Sequence, residues 1–223
     1  MTKYTMLVLA ATLAACSTKP AQTTDTAAVH PPADPDVSAQ GTGIPAGYTA
    51  ITDDTTAQIT NARYVTRSGS WDVTTGPAHI IFAGKDSASG PYTASATFAQ
   101  LEAPRHPEGY GIFIGGRDLT STTRSYTYFL VRGNGEMLVK SRTGAKTTDV
   151  LTWRANPAVP KADSGGKATY RLAIRVAADS VHFMVNDKPV GAVKAGAVAT
   201  DGVAGLRINH NLHVLTAPVT ISR

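Results

Sequence analysis

The chain has 223 residues, a formal charge of +5 at neutral pH and a single cysteine. Its 21 Lys and Arg residues are scattered with no run of five or more, which excludes the basic stripe that nucleic-acid binding needs. A lone cysteine leaves no internal disulfide, so the fold must rest on its hydrophobic core.

Residues 1–15 read as a secretory signal peptide. Lys3 opens it, an apolar stretch runs from Met6 to Ala15, and small residues precede Cys16. The stretch is too short for the roughly 20 residues of a spanning helix. The Leu13-Ala14-Ala15-Cys16 ending resembles the lipobox of bacterial lipoproteins. An ordinary secreted protein with a chance cysteine is the alternative. The resemblance implies cleavage before Cys16, transfer of a diacylglyceryl group to its thiol and acylation of the new amino group. The thiol is needed because its thiolate is the nucleophile. Several chains, palmitate among them, anchor stably where one is marginal. The expected place is the bacterial cell envelope, lipid-anchored at the outer membrane or the periplasmic face, with the bilayer as first partner.

Residues 16–46 follow as a linker. They carry Pro20, Pro31, Pro32, Pro35 and Pro45 among Ser, Thr, Ala and Gln, and no aromatic residue. Such a segment buries too little apolar surface to offset its ordering entropy. About 30 residues span roughly 30 Å as a flexible coil, enough to hold a domain clear of a membrane.

Residues 47–223 read as strands of one domain. Tyr110, Ile112 and Ile114 alternate with Gly111, Phe113 and Gly115, and Tyr126, Tyr128 and Leu130 with Thr127, Phe129 and Val131. Gly133-Asn134-Gly135 then turns the chain into Met137 and Val139. Tyr170, Leu172, Ile174 and Val176 alternate with Arg171, Ala173 and Arg175, the pattern of a strand with one wet face. Ala178-Asp179-Ser180 and Asn186-Asp187-Lys188-Pro189 bracket a further strand at Val181, Phe183 and Val185. Leu206 and Ile208 begin another, and Val219 and Ile221 close the last. Asp54–Ile59 predicts one helical turn, and Phe98–Leu101 fits helix or strand. The fold class expected is all-β, a two-sheet antiparallel jelly-roll sandwich.

Three further stretches carry a resemblance: Trp71-Asp72-Val73, Gly109–Phe113 with Gly116-Arg117-Asp118, and Tyr126–Arg132. Their order is similar to that of concanavalin A-like, laminin G-like domains. Val181–Val190 resembles the paired strands of those domains, and Gly202–Ile208 resembles their Gly-x-x-Gly-Leu-Arg strand. Asp187 stands where that family often has Gly, a change a type I′ turn tolerates. The likeness spans roughly residues 64–223, with relatives of the 3-keto-disaccharide hydrolase type. It implies a sandwich fold and leaves glucanase, lectin and silent binding module open.

The chain offers little catalytic chemistry. No strand carries alternating paired acids of the kind a glycosidase needs. The glutamates are Glu102, Glu108 and Glu136, each expected at the surface, and Asp118 could line a groove. His210 and His213 point to opposite faces of a strand, and His106 and His182 stand alone, so no metal site is expected. Calcium is a low-odds cofactor at Asp53-Asp54 or Asp201. No serine has a nucleophile motif, and the Gly-x-Gly pieces precede no helix. A sugar platform remains, because sugars are held by aromatic faces flanked by planar hydrogen-bonding groups. Tyr110, Asn209 and Asn211 are of the right type, and the ligand set expected is Arg117, Tyr126, Tyr128, Arg132 and His210. The competing reading has the tyrosines filling the core. The function expected is an envelope module that binds carbohydrate without catalysis. A glycoside hydrolase or lyase and a structural protein-interaction domain are the alternatives.

Overall fold

Strands form where apolar residues alternate, and all of them pair antiparallel. A computed structural model describes Met1, residues 43–74 and residues 76–223. Cys16, the signal peptide expected after Met1 and the expected linker up to residue 42 lie outside the described residues. The strands are β1 (Thr49–Thr52), β2 (Arg63–Arg67), β3 (Ser70–Thr74), β4 (His79–Ala88) and β5 (Tyr92–Gln100). They continue as β6 (Gly109–Arg117), β7 (Ser125–Arg132), β8 (Glu136–Thr143), β9 (Lys146–Ala155) and β10 (Ala168–Val176). The last are β11 (Ser180–Val185), β12 (Lys188–Lys194), β13 (Gly202–Ile208), β14 (His213–Thr216) and β15 (Thr220–Ser222). The turn expected at Asp54–Ile59 is a single reverse turn, in which the Ala57 N–H donates to the Asp54 carbonyl at 3.2 Å and Asp54 Oδ1 accepts from the Thr56 amide and hydroxyl at 2.8 Å each. A 3-10 turn follows at Ile59–Asn61.

The strands make a seven-stranded sheet, β1-β4-β13-β6-β7-β8-β9, and an eight-stranded sheet, β12-β11-β10-β5-β14-β3-β2, with β15 on β5. This is the expected two-sheet jelly-roll sandwich. Phe98, Tyr110, Phe129, Tyr170 and Phe183 are wholly buried between the sheets. Each such side chain contributes about 1.5–3 kcal/mol of transfer free energy. Packing reaches back to Ile44 and Tyr48, which lie against this core. The β11–β12 hairpin turns through Asn186 and Asp187 at φ 49° and 64°, a type I′ turn. Asp187 holds this positive φ while its carboxylate pairs with Arg171.

The seven-stranded sheet is apolar on both faces. Tyr110, Ile112, Phe129 and Leu206 point into the sandwich, while Ile80, Phe82, Phe113, Tyr126, Tyr128, Leu130 and Leu138 form a second cluster on the other face. That face is concave. Gly205 makes room in it, since a Cβ there would sit 2.6 Å from the Phe113 ring and 2.5 Å from the Ile81 carbonyl.

Candidate functional site

The concave face closes over its own apolar cluster through one carboxylate and three arginines. Asp53 follows β1, yet Arg142 from β8, five strands away in the sheet, donates to its Oδ1 at 2.8 Å. Arg207 from β13 grips both oxygens, at 2.9 and 2.5 Å. Arg124 donates to the Thr52 carbonyl at 3.1 Å. Arg207 also donates to the Tyr126 hydroxyl at 3.3 Å and lies 4.7 Å from the Tyr128 ring centroid. Only 8 % of its side chain is exposed. Burial pushes the Asp53 carboxyl up, but the Arg207 hydrogen bonds and the charges of Arg207, Arg142 and Arg124 hold it below its ordinary value. The arrangement is a clamp, and its chemistry is structural.

Solvent reaches the seven-stranded sheet at the end where β7 turns into β8. Trp153 of β9 lies half-buried there against Gly109, whose missing side chain makes the space: a Cβ would sit 3.1 Å from the indole. The Arg132 guanidinium stacks on the ring 3.7 Å from its centroid. Glu136 accepts from Arg132 at 3.4 Å and from the Asn134 side chain at 2.8 Å. These contacts fix the planar fork of Arg132 at the surface. An open groove of about 280 Å³ runs beside it, lined by Gln100, Pro104, His106, Gly133, Asn134 and Ser164 among others.

Glu108 is the second gathered carboxylate. It lies just before β6, and its side chain is 11 % exposed. Its Oε1 faces His210 Nε2 at 2.8 Å and His106 Nδ1 at 3.0 Å. Its Oε2 accepts from the Asn209 amide at 3.0 Å. The register of β6 with β13 pairs Tyr110 with Ile208, and this brings residues 106–108 beside 209–210. Burial pushes the Glu108 carboxyl up, while hydrogen bonds from His210 and Asn209 and the charges of His210 and His106 hold it below its ordinary value.

The sequence-derived ligand residues are divided among several places. Tyr126 and Tyr128 do share a face, but they are 1 % and 5 % exposed, inside the concave cluster. Tyr110 lies in the sandwich core, wholly buried. Arg132 stands at the open end with Trp153. Arg117 is exposed at the opposite end of β6, where a bulge with Gly115 at φ 66° re-aims the strand and its Nε donates to the Asp201 carbonyl at 3.2 Å. Gly109 pairs with Arg132 and Arg117 with Ser125, so the two arginines are separated by roughly 25 Å of strand. His210 belongs with Glu108. Two expectations are corrected. Glu108 is not a surface acid, because β13 closes over the proline-rich loop that carries it. His106 is not alone, because that loop folds back onto Glu108 and sets the His106 ring 5.5 Å from that of His210. His213 lies apart, against Asp72 at 3.0 Å and Glu102 at 3.4 Å. Asp53 faces arginines and Asp54 its own turn, while Asp201 accepts from the Gly90 amide at 3.3 Å. Trp153 was not singled out from the sequence. A tryptophan facing a glycine three strands away is the signal that could have found it.

No family model matches the chain, and no curated protein matches it in sequence. Solved structures do match. A Bacillus subtilis protein of unknown function with a galectin-like fold is 13 % identical, with a TM-score of 0.56 over 78 % of this chain and 88 % of that one. The carbohydrate-binding module CBM66 from Bacillus subtilis is 9 % identical, with a TM-score of 0.48 over 79 % of this chain and 96 % of that one. Alginate lyase A1-II′, a member of polysaccharide lyase family 7, is 12 % identical, with a TM-score of 0.43 over 71 % and 84 %. At 0.56 the first likeness shows a galectin-like jelly roll, and at these identities it shows the fold alone.

Proposed function

We propose that the protein is a lipid-anchored module of the bacterial envelope that binds glycan at the open end of its seven-stranded sheet. The observation that carries this is Arg132, stacked on Trp153 and held by Glu136, directly before Gly133 and Asn134, which line an open groove. A sugar presents hydroxyls to a planar donor fork and an apolar C–H face to an indole, and both groups here are already held in position. The sugar surface therefore uses Arg132 with Trp153, while Tyr126 and Tyr128 support the sheet beneath. A protein-docking role finds less support. Within the domain, among the described residues, Leu215 at 39 % is the large apolar side chain that stands most in solvent.

A glycan array on the detergent-solubilised full chain tests the reading. Arg132→Ala and Trp153→Ala should each weaken a wild-type hit about tenfold or more, about 1.4 kcal/mol, with little change in Tm. Unchanged binding in both variants would overturn the site. The anchor is tested separately. Wild-type protein should take up a palmitate analogue and stay with membranes, and Cys16→Ala should do neither. Equal label on both would end the lipoprotein reading.

A catalytic reading, hydrolase or lyase, has one observation in its favour: Glu108 between two imidazoles is a set able to move a proton or hold an ion. Turnover of an array hit by wild type and not by Glu108→Gln would establish it.

A further inference from the structure

We infer that His106, Glu108 and His210 form a binding site for a first-row divalent transition metal, with Zn2+ or Mn2+ as the class of ion. The inference goes beyond glycan binding and does not depend on it. One ligand atom from each of the three residues lies within 4.8 Å of the other two. Two of the three separations are 2.8 and 3.0 Å. A tetrahedral ion with bonds of about 2.1 Å sets its donors roughly 3.4 Å apart, so the two carboxylate–imidazole pairs must open by about half an ångström while the two imidazoles settle to the same span.

The donor chemistry selects the ion. Two imidazole nitrogens and one carboxylate oxygen suit zinc, manganese, iron or cobalt. Calcium wants six to eight oxygens, which this set does not supply. The scaffold around the donors is rigid. His106 is flanked by Pro104 and Pro107, and Glu108 is followed directly by β6. The Asn209 amide N–H donates to the Gly109 carbonyl at 3.1 Å, which ties the two donor segments together. Asn209 also acts from behind the carboxylate. Its side chain holds Oε2 and leaves Oε1 to the imidazoles, the support that metal-binding carboxylates receive.

A second observation points the same way. Asn209 Oδ1 is buried and has no hydrogen-bond partner. An unmet acceptor inside a protein is costly. It lies on the side-chain amide that holds Glu108, so an unpaired polar atom is kept directly behind the donor set, as happens at functional sites. Exposure rises across the set, from 11 % for the Glu108 side chain to 29 % for His210 and 44 % for His106. The outer side is therefore open, and His106 also lines the groove beside Asn134. An ion held by three protein donors keeps a position for water or for a ligand oxygen arriving through that groove.

The test uses the untagged full chain, stripped with chelator, in the absence of glycan. Calorimetric titration with Zn2+ and with Mn2+ should show one equivalent of at least one ion bound at micromolar or tighter dissociation constant, with a rise in Tm. Co2+ should give the visible bands of a low-symmetry nitrogen–oxygen site. His106→Ala and Glu108→Gln should each weaken binding at least tenfold, with circular dichroism unchanged. His106→Ala is the safer of the two, because its ring is the most exposed donor. His213→Ala, at the neighbouring Asp72–Glu102 cluster, should bind as wild type does. No binding by wild type overturns the inference, and so does binding that survives His106→Ala and Glu108→Gln but is lost in His213→Ala.

Discussion

Two carboxylates, each ringed by nitrogen-bearing side chains, lie beside strands of the same seven-stranded sheet and do opposite things. Asp53 is gripped by Arg207 and Arg142, and Glu108 by His210 and His106. Guanidinium stays protonated at any physiological pH and offers no lone pair, so it can only pair and hold. Imidazole gives or accepts a proton and can bind an ion. The first cluster closes the curl of the sheet over an apolar interior. The second stands at the rim of a groove, open on one side. Partner chemistry, rather than the burial of the acid, separates a fastening from a site.

The comparison is broken most directly at Arg207. Arg207→Ala leaves the partly exposed Asp53 with Arg142 alone and opens the layer above Tyr126 and Tyr128. It should cost about 2–3 kcal/mol, read as a lower midpoint in urea unfolding. A loss under about 1 kcal/mol would mean that the clamp does not hold the curl.

The next effect is on pH. The folded carboxyl of Asp53 is held below its ordinary value. Its stabilisation is therefore full above the unfolded value and is lost as pH falls through the lower folded one. Unfolding free energy measured down the acid limb should fall in wild type. Asp53→Asn should be less stable near neutral pH and flatter on that limb. Parallel limbs would remove Asp53 from the account.

The smallest effect sharpens the contrast. Glu108→Gln keeps the shape and one acceptor oxygen at the rim. It should change stability by about 1 kcal/mol or less, since a neutral amide there still meets hydrogen-bond partners. A loss as large as that of Arg207→Ala would make the histidine end a second fastening.

Much of the sandwich is legible in the sequence. Period-two alternation at Tyr170–Val176 and Val181–Val185 marks strands with one buried face. Asn186-Asp187 marks their turn because few residues tolerate successive positive φ. Alternation also places Tyr126 and Tyr128 on one face. It cannot say whether that face is wet, because a sheet apolar on both sides gives the same period. The open end is legible in part, through Arg132 and His210.

The amino-acid sequence by itself determined the class of fold and the turns. These depend on the preferences and spacing of residues close together in the chain. Only the tertiary structure decided which groups meet. Curvature across five strands carries Arg142 to Asp53, 89 residues away in sequence. The register of β6 with β13 carries His210 to Glu108, 102 residues away. The missing Cβ of Gly109 lets Trp153 lie under Arg132. Register and curl arise from how all the strands pack together, and no local pattern along one strand encodes them.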